Sequence, residues 1–305
     1  MSARPFARAA ILGVGLIGSS MARALAAKLP DLDVRLYDLS PDVRARAAKL
    51  GLGRVCETAA EAVQGADLIV LATPVGAMGA LAREIAPHVA AGAVVSDVGS
   101  IKAALLADVG PAVPAHAFFV PAHPVAGTEL SGPEAGFAAL FERRWLILTP
   151  LPDERPAYAE AIDRLEALWA QLGSQVARMD AVQHDLTLAI TSHLPHLIAF
   201  TVVATAEDLE TVTEADVVKY SAGGFRDFTR IAASDPTMWR DVFLNNRESV
   251  LEVLGRFSEN LAGLQRAIRW GDGEALFTLF TRARRVRREV IEAGQDSPRP
   301  NWGRE

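Results

Sequence analysis

The hexapeptide Gly13-Val14-Gly15-Leu16-Ile17-Gly18 decides the reading of the first half of the chain. The apolar run 9–12 before it has the length of a buried strand, and the alanine-rich run 16–29 after it has the pattern of a helix. A strand that turns on three spaced glycines into a helix is the local architecture that receives a dinucleotide. Gly13 permits the tight turn, Gly15 lets a pyrophosphate approach the backbone, and Gly18 lets the helix pack on the strand. The pyrophosphate would then lie over Gly15, Leu16 and Ile17 at the helix N-terminus, where free N–H groups and the dipole favour an anion. Asp38 ends the next predicted strand, 34–37, about 20 residues past Gly18. There an acid holds a ribose 2′-hydroxyl and repels the 2′-phosphate of NADP. Leu39 and Ser40 are not basic, so NAD is the expected cofactor. Thr73-Pro74, after the predicted strand 68–72, stands at the carboxyl edge of the same sheet. A cofactor contact and an ordinary turn are equally good readings of it.

Working outward, helix patterns at 41–50, 75–87 and 157–172 alternate with strand-length runs at 94–97, 118–120, 145–149 and 175–179. Such alternation predicts a parallel sheet with helices on both faces. The fold class expected is α/β, a Rossmann-type dinucleotide-binding domain over 1–177. Beyond Asp180 the strand-like runs disappear and helical periodicity continues, which predicts an all-α C-terminal domain over 178–293. Residues 294–305 carry two prolines and little apolar content, and read as a disordered tail.

Composition narrows the function classes. Half of the 305 residues are hydrophobic, 22% are charged and the formal net charge is −6. A mildly acidic globule is a poor nucleic-acid binder, because phosphate contacts need a clustered positive field. The basic run Arg282-Ala283-Arg284-Arg285-Val286-Arg287-Arg288 reads as the solvated end of a last helix. Cys56 is the one cysteine, so no intrachain disulfide forms, which agrees with a reducing, cytoplasmic setting. The stretch 186–206 has the length of a membrane span and no Asp, Glu, Lys or Arg. It contains His193, Pro195 and His196 and stands alone, so a buried helix in a domain or dimer core is the better reading and no membrane is expected.

Four further segments carry chemistry. They are Asp97-Val98-Gly99-Ser100-Ile101-Lys102, His123-Pro124-Val125-Ala126-Gly127-Thr128-Glu129, Ser192-His193-Leu194-Pro195-His196, and Gly223-Gly224-Phe225-Arg226-Asp227-Phe228-Thr229-Arg230, the last followed by Ser234-Asp235-Pro236-Thr237-Met238-Trp239. Taken together and in this order, they resemble the prephenate/arogenate (cyclohexadienyl) dehydrogenase family of tyrosine biosynthesis, over about residues 9–290. The glycine motif alone is shared by many dehydrogenases; the other segments are far more specific.

The resemblance implies NAD-dependent oxidative decarboxylation of prephenate to 4-hydroxyphenylpyruvate, of arogenate to tyrosine, or of both. It also implies a homodimer built through the helical domains. His123 matches the family's catalytic histidine, a suitable base for the ring hydroxyl because its ordinary pKa lies near neutrality. Ser100 matches a hydroxyl that positions this histidine or the substrate, and it also suits a helix N-cap. The substrate carries two carboxylates, and Arg230 is the candidate to grip one in a bidentate fork, with Asp227 one turn earlier. His196 and Ser192 match substrate-binding positions. Thr128 and Glu129 match the active-site mouth, where Glu129 gates access or pairs with a cation. Trp239 matches a site-lining aromatic, with core packing as its rival. His193 stands evenly between a buried structural histidine and a functional one, His184 reads as structural over a supporting contact behind the site or an interface contact, and His88 and His116 read as structural.

No metal is expected, because the His184, His193 and His196 spacing lacks a ligand pattern and hydride transfer needs none. Two rivals remain. Another two-domain NAD-dependent hydroxyacid dehydrogenase would need a helical lysine in a G-x-x-x-K-x-x-x-N setting, which Lys219 lacks. A non-enzymatic NAD sensor would not need His123, His196 and Arg230 together.

Overall fold

The computed structural model describes residues 5–213 and 218–292, so the expected tail at 294–305 lies outside the described residues. The chain divides into two compact units, Met1–Val250 and Leu251–Glu305.

The first unit begins with β1 (Arg8–Leu12), α1 (Leu16–Lys28), β2 (Asp33–Tyr37), α2 (Pro41–Lys49), β3 (Arg54–Val55), α3 (Ala59–Val63), β4 (Leu68–Leu71), α4 (Val75–Ile85), β5 (Val94–Asp97), α5 (Ala103–Val109) and β6 (Phe118–Phe119). All six strands are parallel, in the order β3-β2-β1-β4-β5-β6. β4 is buried along its whole length, as a strand covered on both faces must be. One face packs on α1 with Met21, Leu25 and Leu36. The other packs on α3, α4 and α5 with Val63, Met78, Ile85 and Leu105. Cys56 is buried in that second core, and burial raises its thiol pKa. The strand order reverses between β1 and β4, and the crevice at that switch point is where open α/β sheets bind ligands.

A second sheet follows. It holds β7 (Ala122–Pro124), β8 (Trp145–Leu148) and, after α6 (Pro156–Gln171), β9 (Gln175–Arg178), in the order β7-β8-β9. β7 is antiparallel to β8, and β8 is parallel to β9. The sequence patterns at 118–120, 145–149 and 175–179 thus serve two sheets rather than one. β7 is legible only in three dimensions. Three residues ending in proline read as loop, yet Pro124, opposite Leu146, fits because β7 is an edge strand and at this position the backbone nitrogen faces away from β8.

The elements described in the rest of the unit are helices, among them α7 (Ala181–Leu188), α8 (Leu194–Thr213), α9 (Gly223–Thr229) and α10 (Pro236–Asn245). Asp180 caps α7 through Gln183 N at 2.8 Å, and Asp235 caps α10 through Met238 N at 2.8 Å with Pro236 at the first position. A π-helical turn, Ala189–His193, joins α7 to α8. Pro195 accounts for it: proline has no N–H for the carbonyl four residues back, and the wider turn absorbs the misfit. The continuous helical stretch Ala181–Glu210 is apolar enough to cross a membrane by composition, and 28% of its most apolar window is buried within the chain. It is therefore less covered than the buried helix expected from sequence; Ile190 and Leu209 are exposed.

The second unit consists of most of α11 (Arg247–Trp270) and α12 (Gly273–Glu292). Gly271, at φ 70°, ends α11 in the left-handed conformation, and Asp272 caps α12 through Ala275 N at 3.0 Å. Leu261, Ile268, Phe277 and Phe280 on these helices are exposed.

Candidate active site

The glycine turn has the shape its sequence implies. Gly13 adopts φ +105°, and a Cβ there would lie 2.5 Å from the Ala72 carbonyl, so no side chain fits. A Cβ at Gly18 would lie 2.0 Å from Gly13 O, which is the close packing of α1 on the turn. A Cβ at Gly15 would meet nothing within 4 Å: the middle of the turn opens onto free space. No side chain caps α1, so its first N–H groups face that space. Asp38 closes the far side, accepting Val14 N at 2.9 Å and Ser40 N at 3.0 Å. Thr73 lies against Gly13, and its buried Oγ1 has no hydrogen-bond partner among the described residues. An open glycine cradle, uncapped helix amides, a carboxylate at the end of β2 and an unmet hydroxyl suit a dinucleotide.

At the carboxyl edge of the sheet, Asp97 and Lys102 fix the next segment. Both side chains are fully buried and form an ion pair. Asp97 also accepts Gly99 N at 2.7 Å and Ala122 N at 3.2 Å, while Lys102 Nζ donates to Ala122 O at 2.6 Å. Burial lowers the Lys102 pKa, with Asp97 and Asp185 acting against it. Both backbone groups of Ala122 are thereby held, and β7 hangs from β5 with His123 as its next residue.

His123 is buried, and its Nδ1 lies 2.8 Å from His184 Nε2. His184 Nδ1 in turn lies 2.8 Å from Asp185 Oδ1. The Asp185 carboxylate accepts Lys102 N at 2.7 Å and Ala103 N at 2.8 Å, anchoring α7 to the start of α5. Asn246 donates to Asp185 O at 2.9 Å and reaches His193 Nδ1 at 3.1 Å. Burial, followed by His184, Lys102 and His193, holds the His123 pKa well below the ordinary histidine range. Burial likewise lowers His184, against the Asp185 carboxylate, and brings His193 down to about 4.

A third group meets the cluster through Trp239, whose ring lies edge-on to His193 with centroids 6.0 Å apart. His196 lies stacked on Trp239, centroids 3.7 Å apart at 23°, with its Nδ1 2.9 Å from Ser192 O. Burial lowers its pKa, and Arg230 adds to that effect. Trp239 is buried beside Ile101 and Val242 and so serves the core, and its Nε1 has no hydrogen-bond partner among the described residues. Arg230 Nη1 binds Glu129 Oε2 at 2.7 Å, with the two side chains 44% and 31% exposed. Thr128 Oγ1 accepts Leu130 N at 3.2 Å and shapes that loop. Ser100 sits between β5 and α5 with its carbonyl towards His193. Ser192 belongs to the π-helical turn. Of the residues singled out from sequence, His123, His196, Trp239, Arg230 and Glu129 lie on contacts of this cluster. Asp185 and Asn246 join it without having been singled out, the Asp97–Lys102 pair joins it from a segment quoted for its chemistry but given no role, and His184, read as structural, contacts His123 directly.

A glycine-turn dinucleotide fold with a buried histidine at the sheet's carboxyl edge defines a nicotinamide-dependent dehydrogenase. Residues 21–178 match the prephenate dehydrogenase nucleotide-binding domain and residues 180–282 its dimerization domain. The chain belongs to the prephenate dehydrogenase family. It is 42% identical over 283 residues to a cyclohexadienyl dehydrogenase of Zymomonas mobilis, covering 92% of this chain and 95% of that one. It is 30% identical over 279 residues to a prephenate dehydrogenase of Bacillus subtilis, covering 91% and 74%. Among solved structures, it is similar to prephenate dehydrogenase from Aquifex aeolicus in complex with hydroxyphenyl propionate and NAD+, with a TM-score of 0.86, 32% identity, and coverage of 95% and 99%.

Proposed function

We propose that the protein oxidatively decarboxylates prephenate to 4-hydroxyphenylpyruvate, arogenate to tyrosine, or both, with NAD as acceptor, in tyrosine biosynthesis in the cytoplasm. The observation that carries this reading is the buried His123, one ring nitrogen engaged by His184 and the other left for a substrate, within the family whose relatives bear these activities.

Gly13, Gly15, Leu16, Ile17 and Gly18 would hold NAD, with Asp38 to bind the ribose and Thr73 and Pro74 alongside, and NAD when bound would supply the hydride acceptor. His123 takes the proton of the ring hydroxyl as C4 loses hydride. The bond from the ring to its carboxylate breaks, CO2 leaves, and its electron pair restores the aromatic ring. The phenolate oxygen recovers the proton from His123, so the step consumes no net base. Ser100 positions the hydroxyl. Arg230, with His196 and Ser192, receives the substrate's carboxylate side, and Trp239 walls it. Glu129 already places a carboxylate on Arg230, and a half-exposed pair of this kind is worth about 0–1 kcal/mol, so a substrate carboxylate displaces it at little cost. Thr128 shapes the mouth.

The exposed apolar faces of the Ala181–Glu210 helix and of α11 and α12 support a homodimer. Light scattering that returned a monomer mass would reject it. The activity is tested by formation of reduced nicotinamide with purified protein, NAD, and prephenate or arogenate in parallel. Turnover of either supports the reaction, and the ratio of kcat/KM gives the preference. Intact NAD binding with no turnover of either would return the chain to the hydroxyacid dehydrogenase and sensor readings.

A further inference from the structure

From the geometry we infer that Asp185 and His184 form a relay that fixes the ring tautomer of His123, making His184 a positioning residue for the reaction. This rests on His123 being the base.

The argument is a count of donors and acceptors. Both oxygens of the Asp185 carboxylate already receive backbone N–H groups, from Lys102 and Ala103, so what the carboxylate presents to His184 Nδ1 is an acceptor. His184 Nδ1 therefore carries the proton. A neutral imidazole with its proton on Nδ1 has its lone pair on Nε2, and His184 Nε2 is the atom that meets His123 Nδ1. His123 must then donate from Nδ1, which leaves its Nε2 with the lone pair. Nε2 has no hydrogen-bond partner among the described residues, and it is the nitrogen that must accept the substrate's hydroxyl proton. The other tautomer would set two lone pairs against each other at 2.8 Å and leave a proton where the base is needed.

The frame around the relay is rigid. Asn246 holds the Asp185 carbonyl, Asp185 itself caps α5, and His123 is fixed in β7 opposite Ile147. The charged and titratable groups that face the pair, Lys102, Asp97 and His193, come from β5, the loop before α5 and the π-helical turn. Burial together with Lys102 keeps both rings neutral, which is the state the count assumes. When His123 takes up a proton, His184 Nε2 still accepts from it and Asp185 steadies the chain from behind, so the relay also supports the charged ring formed during turnover.

The test reads the tautomer directly. In full-length protein labelled with 15N-histidine, ring nitrogen shifts report which nitrogen of each histidine carries hydrogen, and His123→Asn assigns the signal. Protein without substrate should show His123 protonated at Nδ1. His184→Phe, which removes the acceptor, should abolish that preference and lower kcat about 10²-fold with NAD affinity kept. His184→Gln, whose Oε1 can stand where Nε2 stood, should hold the Nδ1–H form and stay within about tenfold of the parent. Protonation of His123 at Nε2 in the parent would overturn the relay. So would an Nδ1–H form that survives His184→Phe, or a Gln variant no better than the Phe variant. If neither cyclohexadiene substrate turns over while the ring signals behave as described, the proposed function fails and the relay stands.

Discussion

The glycine turn and the histidine cluster do opposite jobs with opposite materials. At Gly13–Gly18 the site is made by what is missing: no Cβ fits at Gly13 or Gly18, and nothing fills the space at Gly15. Its few polar contacts are backbone amides and one carboxylate, Asp38. In the cluster the site is made by side chains buried at a cost. His123, His184 and His193 all have lowered pKa values, and a lysine and two aspartates are buried beside them. Recognition of a large, conformationally defined cofactor needs room and a dipole. Moving one proton needs a nitrogen of known state, and that state is set by burial and by a chain of partners.

The widest test of this contrast is His123→Asn. Removing the base should cut kcat by about 10²–10⁴-fold while NAD affinity, which the glycine turn provides, is unchanged. Isothermal titration with NAD beside steady-state kinetics reads the two halves separately, and a variant that keeps its kcat would dissolve the distinction. Next comes Lys102→Met. It strips the buried Asp97 carboxylate of its counter-charge and frees Ala122 O, so an expected loss of about 3–5 kcal/mol should appear in urea unfolding. A loss below about 1 kcal/mol would mean that the pair is not what holds β7 to β5.

Arg230→Gln acts at the mouth and should be milder. It removes a charge-assisted contact worth about 1.5–3 kcal/mol, so KM should rise about 10- to 100-fold with kcat little changed, since the carboxylate is bound alike in ground and transition states. An unchanged KM would move the carboxylate site elsewhere.

The cluster should also betray itself in the pH dependence of stability. His123, His184, His193 and His196 all have folded pKa values below the unfolded value of 6.5. Between the folded and unfolded values the unfolded chain binds more protons, so stability rises with pH across that window. It is fully present above 6.5 and is lost as pH falls towards about 4, the value for His193. Calorimetry should show Tm dropping by a few degrees or more below pH 6. A flat Tm down to pH 4 would mean the rings are hydrated and charged in the folded protein.

How far each region could be read in advance follows from how its contacts run along the chain. The turn is six consecutive residues between a strand and a helix, and Asp38 falls at a fixed distance beyond it. Every relation needed is local, and the parallel sheet follows from the alternation of runs. The cluster joins positions 123, 184, 185, 193 and 246, whose contacts span up to 61 residues. His123, His196 and Arg230 could be singled out only because their segments resemble a known family. Asp185 gave no such signal: beside His184 it looks like an ordinary polar residue at the start of a helix, and only the fold shows its carboxylate capping α5. Lys102 shows a related limit: its segment could be quoted for its chemistry, but a lysine is solvent-facing by default, and only the fold shows it buried against Asp97. β7 was hidden by its length, and the π-helical turn by Pro195, whose effect on a helix is foreseeable but whose remedy is not.

The smallest effect expected lies at Asp38, where the turn's only charge sits. The carboxylate does two things at once. It ties Val14 N and Ser40 N, closing the turn, and it stands where a 2′-phosphate would come. Asp38→Ala loses both, so NAD binding should weaken by the value of a hydrogen bond or two, about 1–2 kcal/mol, while NADP is relieved of repulsion. Asp38→Asn separates the charge from the closure of the glycine turn, because the amide oxygen still accepts Val14 N while the charge is gone and Ser40 N loses its acceptor. If repulsion sets the preference, Asn should shift the NAD-to-NADP ratio of kcat/KM about tenfold towards NADP and leave NAD binding nearly intact. If loop closure sets it, Asn should resemble the parent and only Ala should move. A parent that already prefers NADP would break the assignment at this end of the molecule while leaving the histidine cluster untouched, which is the independence of the two regions put to its most direct test.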